Sequence, residues 1–338
     1  MKSIQTLVFL IITTLFTLVS VAQNRPNSYT PKAKTVYQIS IPKPQTHYIE
    51  VEMSLSDIDD NFSKSEGYID FKMPVWTPGS YLIREYAKNV EHFMAFSGSN
   101  NVKAEKINKN TWRVKYEGQK DLTVKYGVYA YELSVRTSFV DNAHAYLNGA
   151  SVFLFNPQFK KYPSKLKINL PSIFSQITTG LSKTVQTNVY DVVDFDNLVD
   201  CPIEIGNQKI FNFEANKIPH QVAMYGEVKF DSVKLKTDMK KVCETASKVI
   251  GEHPCQDYFF IVHNVTQGGG GLEHKNSTTL GVSRNAYATE ASYNSFLSLV
   301  AHEYFHLWNV KRIRPIALGP FDYENENYTH NQIGRAHV

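Results

Sequence analysis

Two histidines four residues apart, with a glutamate directly after the first, form the pattern with the clearest chemical meaning in this chain. His302, Glu303 and His306 spell H-E-x-x-H. On an α-helix, side chains four residues apart lie on one face, so both imidazoles can bind one metal ion. The glutamate between them can accept a proton from a water molecule that the metal activates. The pattern predicts a hydrolytic Zn²⁺ centre with His302 and His306 as ligands and Glu303 as general base; the alternative is two histidines that only fill space or face solvent.

The residues around this pattern have the periodicity of an amphipathic helix. At about 100° per residue, the apolar side chains fall within about 60° of one another, and both histidines fall on the opposite side. This apolar stripe consists of Tyr293, Phe296, Leu297, Val300, Tyr304 and Leu307. Thr289 is a plausible N-cap, and Pro315 predicts that the helix stops or bends by Arg314. One face should therefore pack against the protein while the other presents the histidines.

A glycine-rich loop followed by an acid precedes this helix. Glycines let a backbone approach a ligand closely and adopt conformations that other residues avoid. A carboxylate just beyond such a loop, at the edge of a metal cleft, can bind the α-amine of a peptide. We therefore expect a substrate-binding edge made of Gly269, Gly270, Gly271 and Glu273. The alternative is a flexible hairpin with a solvated glutamate.

Composition limits the class of protein. Residues 1–22 read as a signal peptide, with Lys2 before an apolar run and small residues at the cleavage site. This predicts a periplasmic or secreted protein that is not stably inserted in a membrane after cleavage. The net charge of +4 is small and the lysines and arginines are scattered, so nucleic acid is not an expected partner. The three cysteines lack metal-binding spacing; Cys243 and Cys255 could form a disulfide in an oxidising compartment, but buried free thiols are expected.

The pattern of apolar and polar residues changes near residue 230. Before it, alternating apolar and polar residues at 48–53, 111–116 and 122–126 predict strands. After it, helical and strand patterns are mixed. We therefore expect an α+β multidomain protein, with an all-β sandwich or saddle over 33–230 and the metal site in a second domain over 231–331.

Three tracts together resemble the glycyl aminopeptidase family of zinc metallopeptidases. These tracts are residues 76–81 with Arg84 and Tyr86, residues 269–274, and residues 302–315. The resemblance implies a β-rich N-terminal domain, a thermolysin-like catalytic domain and often a C-terminal PDZ domain. It also implies that His302 and His306 bind zinc, that Glu303 is the general base, and that Glu273 holds the free amino end of a peptide substrate. The function it implies is that of a zinc aminopeptidase.

One feature of the family has no counterpart in this chain. The family takes its third zinc ligand from a glutamate in a following W-x-x-E-G tract, which we expect beyond the end of this chain. Residues 332–338 resemble the translation of a sequencing adapter and are expected to be a non-native tail. The chain by itself is then expected to be inactive. Two other functions stay open: a zinc endopeptidase using the same site, and a non-catalytic β-sandwich peptide-binding protein with a decayed protease domain.

Overall fold

The structure is a computed structural model, and it describes residues 34–58, 67–266 and 268–327. The predicted signal peptide and the predicted non-native tail both lie outside the described residues. The structure is mostly β, and the alternation of apolar and polar residues explains why. Strand residues 122–129, for example, alternate between buried and more exposed positions, so one face of the strand packs inward.

The described residues form twenty strands, numbered here in chain order. They are β1 (Lys34–Ser40), β2 (Tyr48–Ser56), β3 (Tyr68–Lys72), β4 (Val90–Ser97), β5 (Asn100–Val102), β6 (Ala104–Asn108), β7 (Thr111–Lys115), β8 (Leu122–Tyr129), β9 (Phe139–Val140), β10 (His144–Leu147), β11 (Ser164–Asn169), β12 (Gln176–Thr179), β13 (Ser182–Lys183), β14 (Val189–Val192), β15 (Ile203–Gly206), β16 (Lys209–Ala215), β17 (Ile218–Tyr225), β18 (Tyr258–Val265), β19 (Gly271–Glu273) and β20 (Ser277–Ser283).

Three sheets build the N-terminal part. The largest has eight strands in the order β13-β14-β11-β1-β2-β8-β4-β5, and smaller sheets have the orders β12-β15-β10-β9 and β3-β7-β6. In the largest sheet β1 and β11 are parallel, while its other neighbouring strands are antiparallel. Their inward faces share one continuous apolar core. The predicted all-β N-terminal domain is confirmed.

A fourth sheet carries the residues singled out for chemistry. Its order is β16-β17-β18-β20-β19, with β17, β18 and β20 parallel and the two edge strands antiparallel. The central strand β18 is almost entirely buried, as expected for a strand covered on both faces. This sheet begins at Lys209, before the domain division predicted near residue 230, which stays a prediction.

Three α-helices are described: α1 (Phe195–Val199), α2 (Ser232–Ile250) and α3 (Glu290–Phe305). Helix α2 connects the parallel strands β17 and β18, and its buried residues pack with α3 into a second apolar core. Short 3-10 helices cover Pro44–Thr46, Tyr86–Asn89, Gly149–Ser151 and Ile316–Leu318. Among the described residues, no helix is long and apolar enough to cross a membrane.

Helix α3 follows its sequence pattern closely at its start and less closely at its end. Thr289 is the N-cap, and its hydroxyl accepts a hydrogen bond from Ser292 N. The helix ends at Phe305, which agrees with the prediction that it stops by Arg314, although it stops well short of that limit. The reason is local: the amides beyond Phe305 bond as tight turns, and His306 Nδ1 lies 2.5 Å from Asn309 O. The second histidine therefore caps the helix rather than lying within it.

Candidate metal centre and substrate cleft

The two histidines of the H-E-x-x-H pattern converge on one point. His302 Nε2 and His306 Nε2 lie 3.2 Å apart. His306 Nδ1 donates its proton to Asn309 O, which leaves the lone pair of Nε2 aimed at this point. Two nitrogens that each bind one tetrahedral zinc ion at about 2.0–2.1 Å would be about 3.3 Å apart. The observed spacing fits two ligands of a single zinc ion.

Glu303 is held beside this point in a space that only a glycine leaves open. The side chain is 5 % exposed, and its Oε2 has no hydrogen-bond partner among the described residues. A Cβ added at Gly271 on β19 would lie 2.4 Å from the Glu303 carboxyl carbon, so any side chain there would displace the acid. Burial raises the pKa of Glu303 to about 8; the Glu273 carboxylate adds to this rise and the Arg136 guanidinium opposes it. A cation bound by the two imidazoles would lower the pKa of Glu303 again and favour its ionised form.

Glu273 completes the cleft from strand β19. It is buried, and ligand atoms of Glu273, Glu303 and His306 all lie within 4.8 Å of one another. The structure thus brings together four of the residues that sequence reasoning selected, from positions up to 33 residues apart in the chain. An acidic side chain this close to the two imidazoles can bind an ammonium group next to a bound cation.

Of the three predicted glycines, Gly271 is the one at which an added Cβ would collide with a neighbouring side chain. Gly270 has a φ of 99°, a backbone conformation that favours glycine, but a Cβ there would meet nothing within 4 Å. A Cβ at Gly269 would also meet open space. Gly270 O accepts a hydrogen bond from Gly281 N of β20, which fixes the loop onto the sheet. The roles of Gly269 and Gly270 in substrate binding stay predictions.

A turn from the N-terminal part forms a wall of the cleft. Gly79 has a φ of 90°, and a Cβ there would lie 3.0 Å from Glu273 Oε1 and 2.8 Å from Leu272 Cδ1. The turn is fixed by Trp76, whose indole N–H donates to Asp322 O at 2.8 Å and whose ring stacks on Tyr323. This turn therefore brings the N-terminal part into contact with Leu272 and Glu273 on β19.

A buried ion cluster behind the cleft was not predicted from the sequence. Asp200, at the end of α1, lies 2.7 Å from Lys311 Nζ and 3.2 Å from His274 Nδ1, and it accepts a hydrogen bond from Lys275 N. Burial would raise the pKa of Asp200, but Lys311 and His274 hold it well below its usual range. His274 directly follows Glu273, so this cluster connects the N-terminal part to both β19 and the segment after α3. Residues 200, 274 and 311 are too far apart in the chain for a spacing to reveal the cluster.

A second buried cluster was also missed. Glu204 on β15 accepts from His144 Nδ1 at 2.7 Å and from His263 Nε2 at 2.8 Å, and all three side chains are at most 2 % exposed. Burial opposes ionisation of Glu204, yet the two histidines lower its pKa to about 2. Because His263 lies on β18, these bonds join the N-terminal part to the catalytic sheet. Both carboxylate oxygens are thereby satisfied without a metal ion.

The described residues supply two imidazole ligands for zinc, and no third ligand is assigned among them. Glu324, an acid that follows the H-E-x-x-H helix, forms an ion pair with Lys72 on β3. Glu326 is exposed. The donor set that is present, two imidazoles beside a buried carboxylate with an unpartnered oxygen, fits a zinc ion.

A β-rich N-terminal part joined to a sheet and an H-E-x-x-H helix defines a metallopeptidase-like protein. The family profile described as "Peptidase M61 N-terminal domain" matches residues 36–207, and the profile "M61 glycyl aminopeptidase" matches residues 295–333. The first of these covers more than half of the chain. The chain belongs to the M61 peptidase family.

One solved structure agrees with this assignment. The chain is 32 % identical to an aminopeptidase N family protein from Idiomarina loihiensis, with a TM-score of 0.81 over 87 % of this chain and 51 % of that one. The chain thus spans about half the length of this relative. An M1 zinc metallopeptidase variant from Deinococcus radiodurans, bound to a Tyr-Ser-Ala substrate, is 12 % identical over 82 % of this chain and 64 % of that one, with a TM-score of 0.49. No curated protein matches the chain.

Proposed function

We propose that the protein is a zinc-dependent aminopeptidase that removes the first residue of a peptide. The observation that carries this proposal is the convergence of the two imidazole nitrogens, 3.2 Å apart, beside two buried carboxylates. His302 and His306 would hold the zinc ion. When bound there, zinc supplies a Lewis acid that polarises a peptide carbonyl and makes water easier to deprotonate.

The protein's own residues would carry the proton transfers. Glu303 Oε2 has no partner among the described residues, so it is free to accept a proton from the attacking water. Glu303 then gives this proton to the amine that leaves when the peptide bond breaks. Burial and the Glu273 carboxylate raise the pKa of Glu303, and a cation held by the two histidines would lower it again and favour the ionised form that accepts a proton.

Glu273 would select the end of the substrate. Its carboxylate can pair with the free ammonium group of a peptide substrate. Because Glu273 lies near Glu303 and His306, few substrate residues can precede the peptide bond that is cleaved. The Gly79 turn closes the space beside Glu273. Both features favour removal of a terminal residue over cleavage within a chain.

The wider cellular context belongs to the same proposal. The predicted signal peptide supports a periplasmic or secreted peptidase, and peptides are the proposed partners. The chain covers 51 % of the length of the Idiomarina loihiensis relative. The aminopeptidase activity is therefore proposed for the whole protein. The expected inactivity of residues 1–338 alone stays a prediction.

Blocking the amino end of the substrate tests this proposal. We expect the complete natural protein to hydrolyse free peptides at least about 10-fold faster, in kcat/KM, than the same peptides acetylated at the N-terminus, because a lost charge-assisted hydrogen bond is worth about 1.5–3 kcal/mol. Glu273→Gln should reduce cleavage of the free peptide and leave the acetylated peptide unchanged. Chromatography of the products gives both rates and the cleaved bond. Equal cleavage of free and acetylated peptides, at internal bonds, would identify an endopeptidase instead.

A further inference from the structure

Strand β19, which carries Glu273, is short and lies at the edge of the catalytic sheet. It has three residues, and Glu273 is the last of them. The strand pairs with β20 on one side, and its other side has no strand partner among the described residues. An edge strand leaves half of its backbone groups outside the ladder, so contacts of other kinds must fix its position. The place of Glu273 therefore depends on the residues that follow it.

The two residues after Glu273 are held by two side chains from distant parts of the chain. The Lys275 N–H donates to Asp200 Oδ2 at 3.0 Å, and His274 Nδ1 lies 3.2 Å from Asp200 Oδ1. The Lys275 carbonyl oxygen accepts from Arg312 Nη1 at 3.1 Å. Both backbone polar groups of Lys275 are thus bonded, one to Asp200 and one to Arg312.

The same two side chains also reach the turns that follow His306. Asp200 Oδ1 lies 2.7 Å from Lys311 Nζ, and the Lys311 N–H donates to His306 O at 3.1 Å. Arg312 Nη1 donates to Leu307 O at 2.7 Å. Each side chain therefore forms a bridge between the end of β19 and the segment that begins at the second histidine of the H-E-x-x-H pattern.

The bridge through Asp200 uses both oxygens of a carboxylate. Asp200 is 4 % exposed, and its Oδ1 faces the Lys311 ammonium group while its Oδ2 faces the Lys275 N–H. An asparagine keeps one oxygen acceptor and has an NH₂ donor in place of the other, so one side of the bridge would lose its acceptor. Hydrogen bonds to a charged group are short and directional, and a buried one holds its partners closely.

We propose that Asp200 is a positioning residue that sets the place of the Glu273 carboxylate relative to His306, with Arg312 as a second bridge. The inference rests on the proposed aminopeptidase function. Ligand atoms of Glu273 and His306 lie within 4.8 Å of one another, so a peptide amine bound at Glu273 lies next to the proposed metal centre. A displacement of about 1 Å in such an arrangement can cost about 100-fold in rate. Asp200 does not touch the substrate and acts through the end of β19.

The first test compares Ala-Ala-Ala with N-acetyl-Ala-Ala-Ala in the complete natural protein. Asp200→Asn should raise KM for the free peptide by about 10-fold, as expected when a charge-assisted contact to the amine is misplaced, with a smaller change in kcat. The acetylated peptide lacks this contact, so its kcat/KM should stay within about 2-fold of wild type. A preference for the free peptide that Asp200→Asn retains, or an equal loss with both peptides, would overturn the proposal.

Asp196→Asn is the matched control. Asp196 lies on α1 and is half-buried, and its carboxylate accepts from the Tyr323 hydroxyl at 2.7 Å. This variant removes a carboxylate from the same helix without breaking a bond to the end of β19. It should keep the wild-type preference for the free peptide. Loss of the preference in Asp196→Asn as well would show a general effect of α1 and would also overturn the proposal.

Arg312→Gln keeps the proposal testable if Asp200→Asn does not fold. Arg312 is exposed, so its replacement should leave the protein folded while it weakens the second bridge. KM for the free peptide should rise by at least about 3-fold, with the acetylated peptide little changed. Arg314→Gln, at an exposed position two residues later, should have the wild-type KM. A wild-type KM in Arg312→Gln, with Asp200→Asn unfolded, would overturn the proposal.

A binding measurement separates this inference from the proposed function. Calorimetry gives the affinities of alaninamide and N-acetylalaninamide for Glu303→Gln, with and without Asp200→Asn, and needs no turnover. Tighter binding of the free amine that depends on Asp200 supports the inference, even if the protein cleaves internal bonds and the aminopeptidase proposal fails. Tighter binding of the free amine that does not depend on Asp200 overturns the inference alone. Equal binding of both compounds to Glu303→Gln overturns both proposals.

Discussion

Glu303→Gln is expected to lower kcat of the complete protein by about 10³-fold or more while leaving its metal content unchanged. The amide has the size and shape of the carboxylate, but it cannot accept the proton of the attacking water. The site offers no replacement nearby, because Glu273 is expected to be occupied by the amino end of the substrate. The measurement is kcat on a free tripeptide, together with metal content by elemental analysis.

Glu290→Gln provides the matched control for this experiment. Glu290 lies in the first turn of the same helix and is exposed, so its neutralisation should change kcat less than about 2-fold. A Glu303→Gln protein with near wild-type kcat would contradict the role of Glu303 as general base. A variant that loses both activity and metal would instead show that Glu303 mainly maintains the metal site.

Lys311→Met is expected to have the largest effect on stability. The change leaves Asp200 buried, with its charge no longer balanced by an ammonium group 2.7 Å away. Removing one partner of a buried ion pair typically costs about 3–5 kcal/mol. Urea unfolding of the complete protein should show this loss as a lower free energy of unfolding. His274 and Lys275 N still bond to Asp200, so the protein should remain folded at low urea.

An exposed pair with the same geometry provides the comparison. Lys165 Nζ also lies 2.7 Å from a carboxylate, that of Asp191, but both side chains are more than half exposed. Lys165→Met should therefore cost less than about 1 kcal/mol. In addition, the double variant Lys311→Met/Asp200→Asn should be less destabilised than the sum of its single variants. Equal losses of unfolding free energy in Lys311→Met and Lys165→Met would show that burial does not strengthen the ion pair between Asp200 and Lys311.

The parts of the site that could be predicted from the sequence are those built from local patterns. The faces of helix α3 follow from a 3.6-residue period, and its start follows from the Thr289 cap. Its end was harder to predict, because Pro315 marks only the last point that a helix can reach. Tight turns after Phe305 end it earlier.

The parts that could not be predicted depend on contacts between distant residues. Asp200 and His274 are 74 residues apart, and His144 and Glu204 are 60 apart, so no spacing indicates that they meet. Likewise, the strand-rich pattern before residue 230 does not indicate that β16 and β17 join the catalytic sheet. Gly79 reads as an ordinary turn residue, and only the fold shows that its missing side chain makes room for Glu273.

The zinc content of the complete protein and of its histidine variants tests the central claim most directly. We expect about one zinc ion per chain in the wild type and in His92→Ala, whose histidine is exposed on β4 of the largest sheet. His302→Ala and His306→Ala should each lose most of this zinc and all measurable peptidase activity. A wild-type protein that cleaves peptides without zinc in the presence of a chelator, or histidine variants that keep a full complement of zinc, would contradict the assignment of this centre.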